Sequence, residues 1–255
     1  MFVLASASPR RIEMLKNAGY DPVVQPASII EHLPFDMSPE DATMYLALQK
    51  AQAVYDQLAG AAESDSEPDA GCGAGSGSGS SSDSGSEPNA LREYPDSLMS
   101  DLVVLAADTV VVLDGKIIGK PEDPDDAFAI LSALRGRSHH VITGCCVIRS
   151  QAADLSAKFL EAAKVSDAET SSDTVTNPDA STGFMPQKDC FYEDTVVWFK
   201  DYTDEELWAY VNTPEPYDKA GGYAIQGGFG KYIDHIDGDY DNVVGLPLTR
   251  VKEYI

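Results

Sequence analysis

Basic side chains are scarce in this 255-residue chain: 18 lysines and arginines stand against 42 aspartates and glutamates, for a formal net charge of −24. A nucleic acid polymer needs a cationic face against its phosphates, and a field of this sign repels it, so no nucleic acid partner is expected. A small anion in a local cationic pocket remains compatible with the composition. Long apolar runs are missing too. The longest, LVVLAADTVVVL, is interrupted by Asp108 and Thr109 and falls short of the about 20 residues that span a bilayer, so no membrane partner is expected. The opening MFVLASASPRR lacks a basic leader, and its apolar run is too short for a signal-peptide core, which gives a cytoplasmic expectation. Four cysteines (Cys72, Cys145, Cys146, Cys190) include no C-x-x-C pair, as suits a reducing compartment. Four histidines (His32, His139, His140, His235) form neither an H-E-x-x-H helix nor a Cys/His zinc spacing, so a zinc site is not expected.

What is present suffices for a packed core: 43% of residues are hydrophobic and 24% charged, an ordinary globular composition. Residues 2–5 read as a short buried strand, followed by Ser8 as N-cap, Pro9 at the first helical position, and Ile12 and Leu15 at helical spacing before Gly19. Ser38, Pro39 and Asp41 open an Ala/Leu-rich helix that carries Lys50 and is expected to end near Gly60. LVVLAADTVVVL reads as two strand-like runs with Asp108 where the first ends, and Asp114-Gly115 then predicts a hairpin into Lys116 to Ile118. Asp123, Pro124 and Asp126 predict a helix start closing at Gly136, HVITGCCVI and CFYEDTVVWF read as strands, and Thr203 with Glu206 forms a capping box. The glycine-rich end, EPYDKAGGYAIQGGFGKYIDHIDGDYDNVVGLPL, carries aromatic and apolar residues throughout and reads as folded loops and strand. Two polar tracts, at about 61–100 and 150–188, are too poor in apolar residues to bury anything and are expected to be disordered insertions, with a helical turn or two between Leu155 and Ala163. Residues 1–255 then form a single domain whose remaining roughly 180 residues suit one core.

Arg10 and Arg11 stand in the first turn of a helix, where the free N–H groups and the dipole make cations unfavourable. A polyphosphate among them reverses that sign, since helix N-termini and guanidinium forks both take phosphate oxygens. The alternative is that both arginines pair with surface carboxylates. Lys50, Lys120 in GKP and Lys219 in DKAGG are each ordinary solvated lysines taken singly, but together they outline a pocket for several phosphates. Asp108 could hold a metal ion or activate a water; as a turn aspartate it would instead make local backbone hydrogen bonds. GGFGKY lacks the first glycine and the Ser/Thr of a P-loop, and no G-x-G-x-x-G opens a helix after a strand, so the usual nucleotide signatures are absent.

The ordered set ASASPRR, ADTVV, GKP, GRSHHVITG, DKAGGYAIQGG and GDYDNVVGLPL resembles the Maf family of nucleoside triphosphate pyrophosphatases, across nearly the whole chain apart from the two polar tracts. The resemblance implies an α/β fold related to the inosine triphosphate pyrophosphatases, with a mixed sheet and two lobes around a cleft. It implies hydrolysis of a nucleoside triphosphate to the monophosphate and pyrophosphate with a divalent cation, Mg²⁺ or Mn²⁺, and a possible homodimer. Thr109 and Gln226 match the subgroup acting on dTTP and UTP, and Arg10 matches a position tied to substrate choice. By the same carry-over Asp108 accepts the proton of the attacking water, and Ser8, Arg10, Arg11, Lys50, Lys120 and Lys219 hold phosphates. Glu31 completes the polar ring, and Gln226 faces the edge of a uracil or thymine ring, its other reading being backbone capping in a tight turn. Other readings the family allows are a pyrophosphatase for 7-methyl-GTP or other modified nucleotides, and a nucleotide-binding regulator of septum formation.

Overall fold

A mainly apolar run from Val103 to Leu113, buried from Val104 to Ala107 and from Val111 to Leu113 and half-buried from Asp108 to Val110, makes an eleven-residue strand that runs straight through Asp108, and the rest of the fold is arranged along it. The structure, a computed structural model, describes residues 1–64, 102–150 and 186–255. In chain order the elements are β1 (Phe2–Leu4), α1 (Pro9–Asn17), β2 (Val23–Val24), α2 (Pro39–Ser64), β3 (Val103–Leu113), β4 (Lys116–Ile118), α3 (Pro124–Leu134), β5 (Ser138–Arg149), β6 (Gln187–Phe199), α4 (Asp204–Val211), β7 (Ile233–Asp237), α5 (Tyr240–Val244) and α6 (Leu248–Val251). Short 3₁₀ turns cover the glycine-rich segment between α4 and β7. Among the described residues the strands form one seven-stranded mixed sheet in the order β2-β1-β3-β5-β6-β7, with β4 also on β3. β1 is parallel to β2 and β3, and the other pairings are antiparallel.

The local signals formed as their chemistry requires. Ser38 Oγ accepts the N–H of Asp41, Asp123 accepts that of Asp126, and Thr203 and Glu206 cap each other reciprocally. Leu113 faces Lys116 across the two-residue turn, where Asp114 and Gly115 take φ of 51° and 75°, as a type I′ hairpin demands. Three expectations need correction. β3 is one strand rather than two, because its ladder with β5 continues from Val103↔Arg149 to Val112↔His140, and Asp108 meets a lysine instead of turning the chain. α2 passes Gly60 and reaches Ser64, although a helical glycine costs about 1 kcal/mol relative to alanine. β6 starts at Gln187, inside the second polar tract, because pairing with Arg149 and Ile148 and the Arg149–Asp189 ion pair extend it. The remainder of both tracts (residues 65–101 and 151–185), with the suggested turn at Leu155 to Ala163, lies outside the described residues.

Period-two alternation sends the two faces of the β1 half of β3 to different partners. Val104 and Ala106 pack with Ala47, Ala51 and Val54 of α2, while Leu105 and Ala107 pack with Leu15 of α1 and with Leu246, Leu248 and Val251. In the other half, Val111 and Leu113, with Val141 of β5 and Phe199 of β6, join α3, α4 and an aromatic group that includes Tyr223 and Phe229. These are the two lobes, and β3 and β5 run through both. Gly144, opposite Asp108, sets the height of α2: a Cβ there would stand 2.3 Å from the carbonyl carbon of Thr43. Lys50 lies about two turns further along the same helix. Gly144→Ala is therefore expected to lift α2 and lower the unfolding free energy by about 1–3 kcal/mol in urea titration. An unchanged midpoint would show that α2 does not rest there.

Candidate active site

The site is a break in one edge of β3. β5 occupies one edge along Val103 to Val112, so β1, paired at Val103 to Leu105, and β4, paired at Val111 to Leu113, share the other. Among the described residues, that second edge has no strand partner from Ala106 to Val110. Asp108 and Thr109 point to opposite faces of a strand, yet at this break both reach one cavity of about 400 Å³ between the lobes. Ser8, Arg10, Arg11, Glu31, Lys50, Lys120 and Lys219 line the same cavity. Val110, Ile117, Ile118, Tyr223 and Ile225 add apolar and aromatic surface to its lining. Gln226 stands one residue beyond, on an exposed turn, and does not line the cavity.

The break exposes a backbone carbonyl, and Arg11 fills the gap. Ala5 N–H bonds the carbonyl of Leu105, the last β1 contact; two residues on, Nη1 of Arg11 donates to the carbonyl of Ala107 at 2.8 Å. The same guanidinium donates from Nε to the carbonyl of Gly245 (2.8 Å), from Nη2 to Thr109 Oγ1 (2.9 Å) and from Nη1 to Ser6 Oγ (3.3 Å). Thr109 Oγ1 lies 2.9 Å from Thr143 Oγ1, which donates to the carbonyl of Asn242. Arg11 thus pins α1 to β3 and to the GDYDNVVGLPL segment. Loss of solvation around the guanidinium lowers its pKa, against the opposing pull of Asp108. Neither sequence reading of Arg11, phosphate clamp or surface ion pair, foresaw these backbone partners.

The lysines divide as well. Lys50 Nζ sits 2.6 Å from Asp108 Oδ1 and 2.9 Å from Glu31 Oε1, with Asp108 only 14% exposed and Glu31 55%. Lys219 donates to the carboxylate of Asp218 and to the carbonyl of Glu215. By contrast, among the described residues Arg10 and Lys120 make no hydrogen bond or salt bridge. Ser8 occupies the N-cap position of α1 with its hydroxyl making no capping bond, its own N–H going to Ser6 Oγ, and no acid stands in the first turn. The free anion-binding capacity is therefore Ser8, Arg10, Lys120 and the open N–H groups of α1. Asp218, Tyr223 and the apolar wall were not singled out from the sequence; a tyrosine inside a glycine-rich run was the available signal. Among the described residues no group of three or more His, Cys, Asp or Glu side chains converges on a metal position.

Comparison with known proteins shows the family. A sequence model described as Maf-like protein matches residues 1–182 and 174–255, which together span the chain. The chain is 33% identical over 255 residues to a dTTP/UTP pyrophosphatase of Desulfitobacterium hafniense, covering 99% of this chain and 83% of that protein. It is 32% identical to proteins of the same name from Bdellovibrio bacteriovorus (99% and 96% covered) and Caldicellulosiruptor bescii (98% and 90% covered).

Proposed function

Because the chain belongs to the Maf family, we propose that it is a nucleoside triphosphate pyrophosphatase that hydrolyses dTTP and UTP to the monophosphate and pyrophosphate. The observation that carries this reading is the junction of a shielded carboxylate, Asp108, with unpaired anion-binding groups at one break in the sheet. The triphosphate tail lies against the N-terminus of α1, Arg10, Ser8 and Lys120, and the base lies toward Val110, Ile117, Tyr223 and Ile225. Lys50 holds Asp108 by Oδ1, which leaves Oδ2 to accept the proton of a water as its oxygen bonds to phosphorus. The phosphoanhydride bond breaks, and the pyrophosphate leaves with its bonding electron pair, its charge met by the cations already in place. Glu31, bonded to the same ammonium, holds Lys50 from the other side. Gln226 supplies both a donor and an acceptor to the pyrimidine edge, a contact that requires its turn to close over the ligand.

The donor set also fits a divalent cation. Mg²⁺ is commonly held by one or two carboxylates plus substrate phosphates and water, so Asp108 and Glu31 suffice without a third protein ligand. When bound, such an ion neutralises charge on the phosphates. The test is pyrophosphate release with Mg²⁺ or Mn²⁺ from a panel of UTP, dTTP, CTP, ATP and 7-methyl-GTP. UTP and dTTP are expected to lead CTP by about tenfold or more in kcat/KM, the worth of one discriminating hydrogen bond. Preference for 7-methyl-GTP, or orthophosphate as the product, would remove this reading.

A further inference from the structure

One side chain outside the cavity ties together two of its walls. Glu215 stands between α4 and the 3₁₀ turn Pro216–Asp218. Its carboxylate accepts the N–H of Gly228 at both oxygens (3.0 and 3.1 Å) and the hydroxyl of Tyr210 at Oε1 (3.1 Å). Its backbone carbonyl accepts Lys219 Nζ at 2.7 Å. Gly227 makes room for the carboxylate, since a Cβ on that residue would stand 1.8 Å from Oε1. Burial, with Glu215 beside it, raises the pKa of Tyr210, so the phenol stays a donor. Between Ile225, which lines the cavity, and Gly228, which the carboxylate holds, lies Gln226. The turn is otherwise closed by its own bonds, Gly227 N–H to Ala224 and Gly230 N–H to Gly227. Phe229, fully buried among the aromatic side chains, anchors the far end of the turn to the core, and the Glu215 carboxylate is the side chain that holds the exposed part at Gly228.

We propose that Glu215 is a positioning residue for substrate selection: its carboxylate, by holding Gly228, sets where Ile225 stands against the base and the point about which the Gln226 turn closes on it, while its carbonyl fixes Lys219 on the phosphate side. This rests on the reading of the cavity as a pyrimidine nucleotide site. The consequence is that base discrimination, and not only the amount of active protein, depends on a residue that touches no substrate.

The measurement is the ratio of kcat/KM for UTP to that for CTP, both determined on one preparation, so that any loss of folded protein cancels. Glu215→Ala is expected to lower this ratio about tenfold, chiefly through a higher KM for UTP, the loss of one fixed hydrogen bond to the base. Glu215→Gln, whose amide oxygen still accepts from Gly228, is expected to stay within about threefold of the wild type. Gly227→Ala, which displaces the carboxylate without removing it, is expected to reproduce the fall and serves if Glu215→Ala does not fold. Gln226→Ala separates the two ideas. An unchanged ratio in both Glu215→Ala and Gly227→Ala overturns the proposal. If Gln226→Ala changes the ratio in that case, the pyrimidine reading survives without it. A fall in the Glu215 and Gly227 variants with none in Gln226→Ala upholds the positioning role and transfers base reading from Gln226 to Ile225.

Discussion

Asp108→Asn is expected to lower kcat for UTP by about 10²–10⁴-fold with KM and the fold nearly unchanged, the usual worth of a positioned general base. The amide is close in shape to the carboxylate, and its oxygen can still accept from Lys50, so the contact that orients the side chain is retained. Lys50 also keeps Glu31 as a counter-charge, so no unpaired ammonium is left in the cavity. What disappears is a basic oxygen facing the water. Steady-state kinetics with a thermal melt on the same sample reads both sides of the expectation; a variant that turns over at the wild-type rate would take Asp108 out of the chemistry.

The second large effect separates two neighbouring arginines. Arg11→Met removes donors from the carbonyls of Ala107 and Gly245 and from Thr109 Oγ1, in a region where strand pairing supplies no replacement. Each enclosed acceptor left without a partner costs about 1–3 kcal/mol, so stability is expected to fall by on the order of 3 kcal/mol or more. Arg10→Met removes no hydrogen bond or salt bridge among the described residues and is expected to change stability by less than about 0.5 kcal/mol while raising KM for UTP. Urea denaturation and kinetics on the pair make the comparison. Equal stability of the two variants would contradict the assignment of Arg11 as a strut.

That contrast shows where sequence reasoning succeeded and where it stopped. Caps and turns are local physics, so Asp123, the Thr203–Glu206 box and the Asp114-Gly115 hairpin could be read directly. The grouping of Ser8, both arginines, Lys50, Asp108, Lys120 and Lys219 was legible through the resemblance, and the cavity contains all of them. The division of labour among them was not. Arg11 is engaged mainly by backbone carbonyls, which leave no signature in residue type, and Lys50 is engaged by Asp108 from a strand 58 positions away. Asp108 itself looked like the end of a strand because a carboxylate inside an apolar run usually marks a turn. Here the missing strand on one edge and the lysine from α2 make room for it in mid-ladder. The glycines repeat the lesson. Gly144 is needed because a helix rests on it, which only the packed structure reveals.

A crystal structure with Mg²⁺ and a UTP analogue whose α,β-bridging oxygen is replaced by an imido group tests the break in β3 as the reaction site most directly. The expected result places the phosphates on Ser8, Arg10 and Lys120 at the start of α1, the α-phosphorus facing Oδ2 of Asp108, and the uracil between Ile117, Tyr223 and Ile225. A triphosphate bound away from α1, or reversed so that the base meets Arg10, would contradict it.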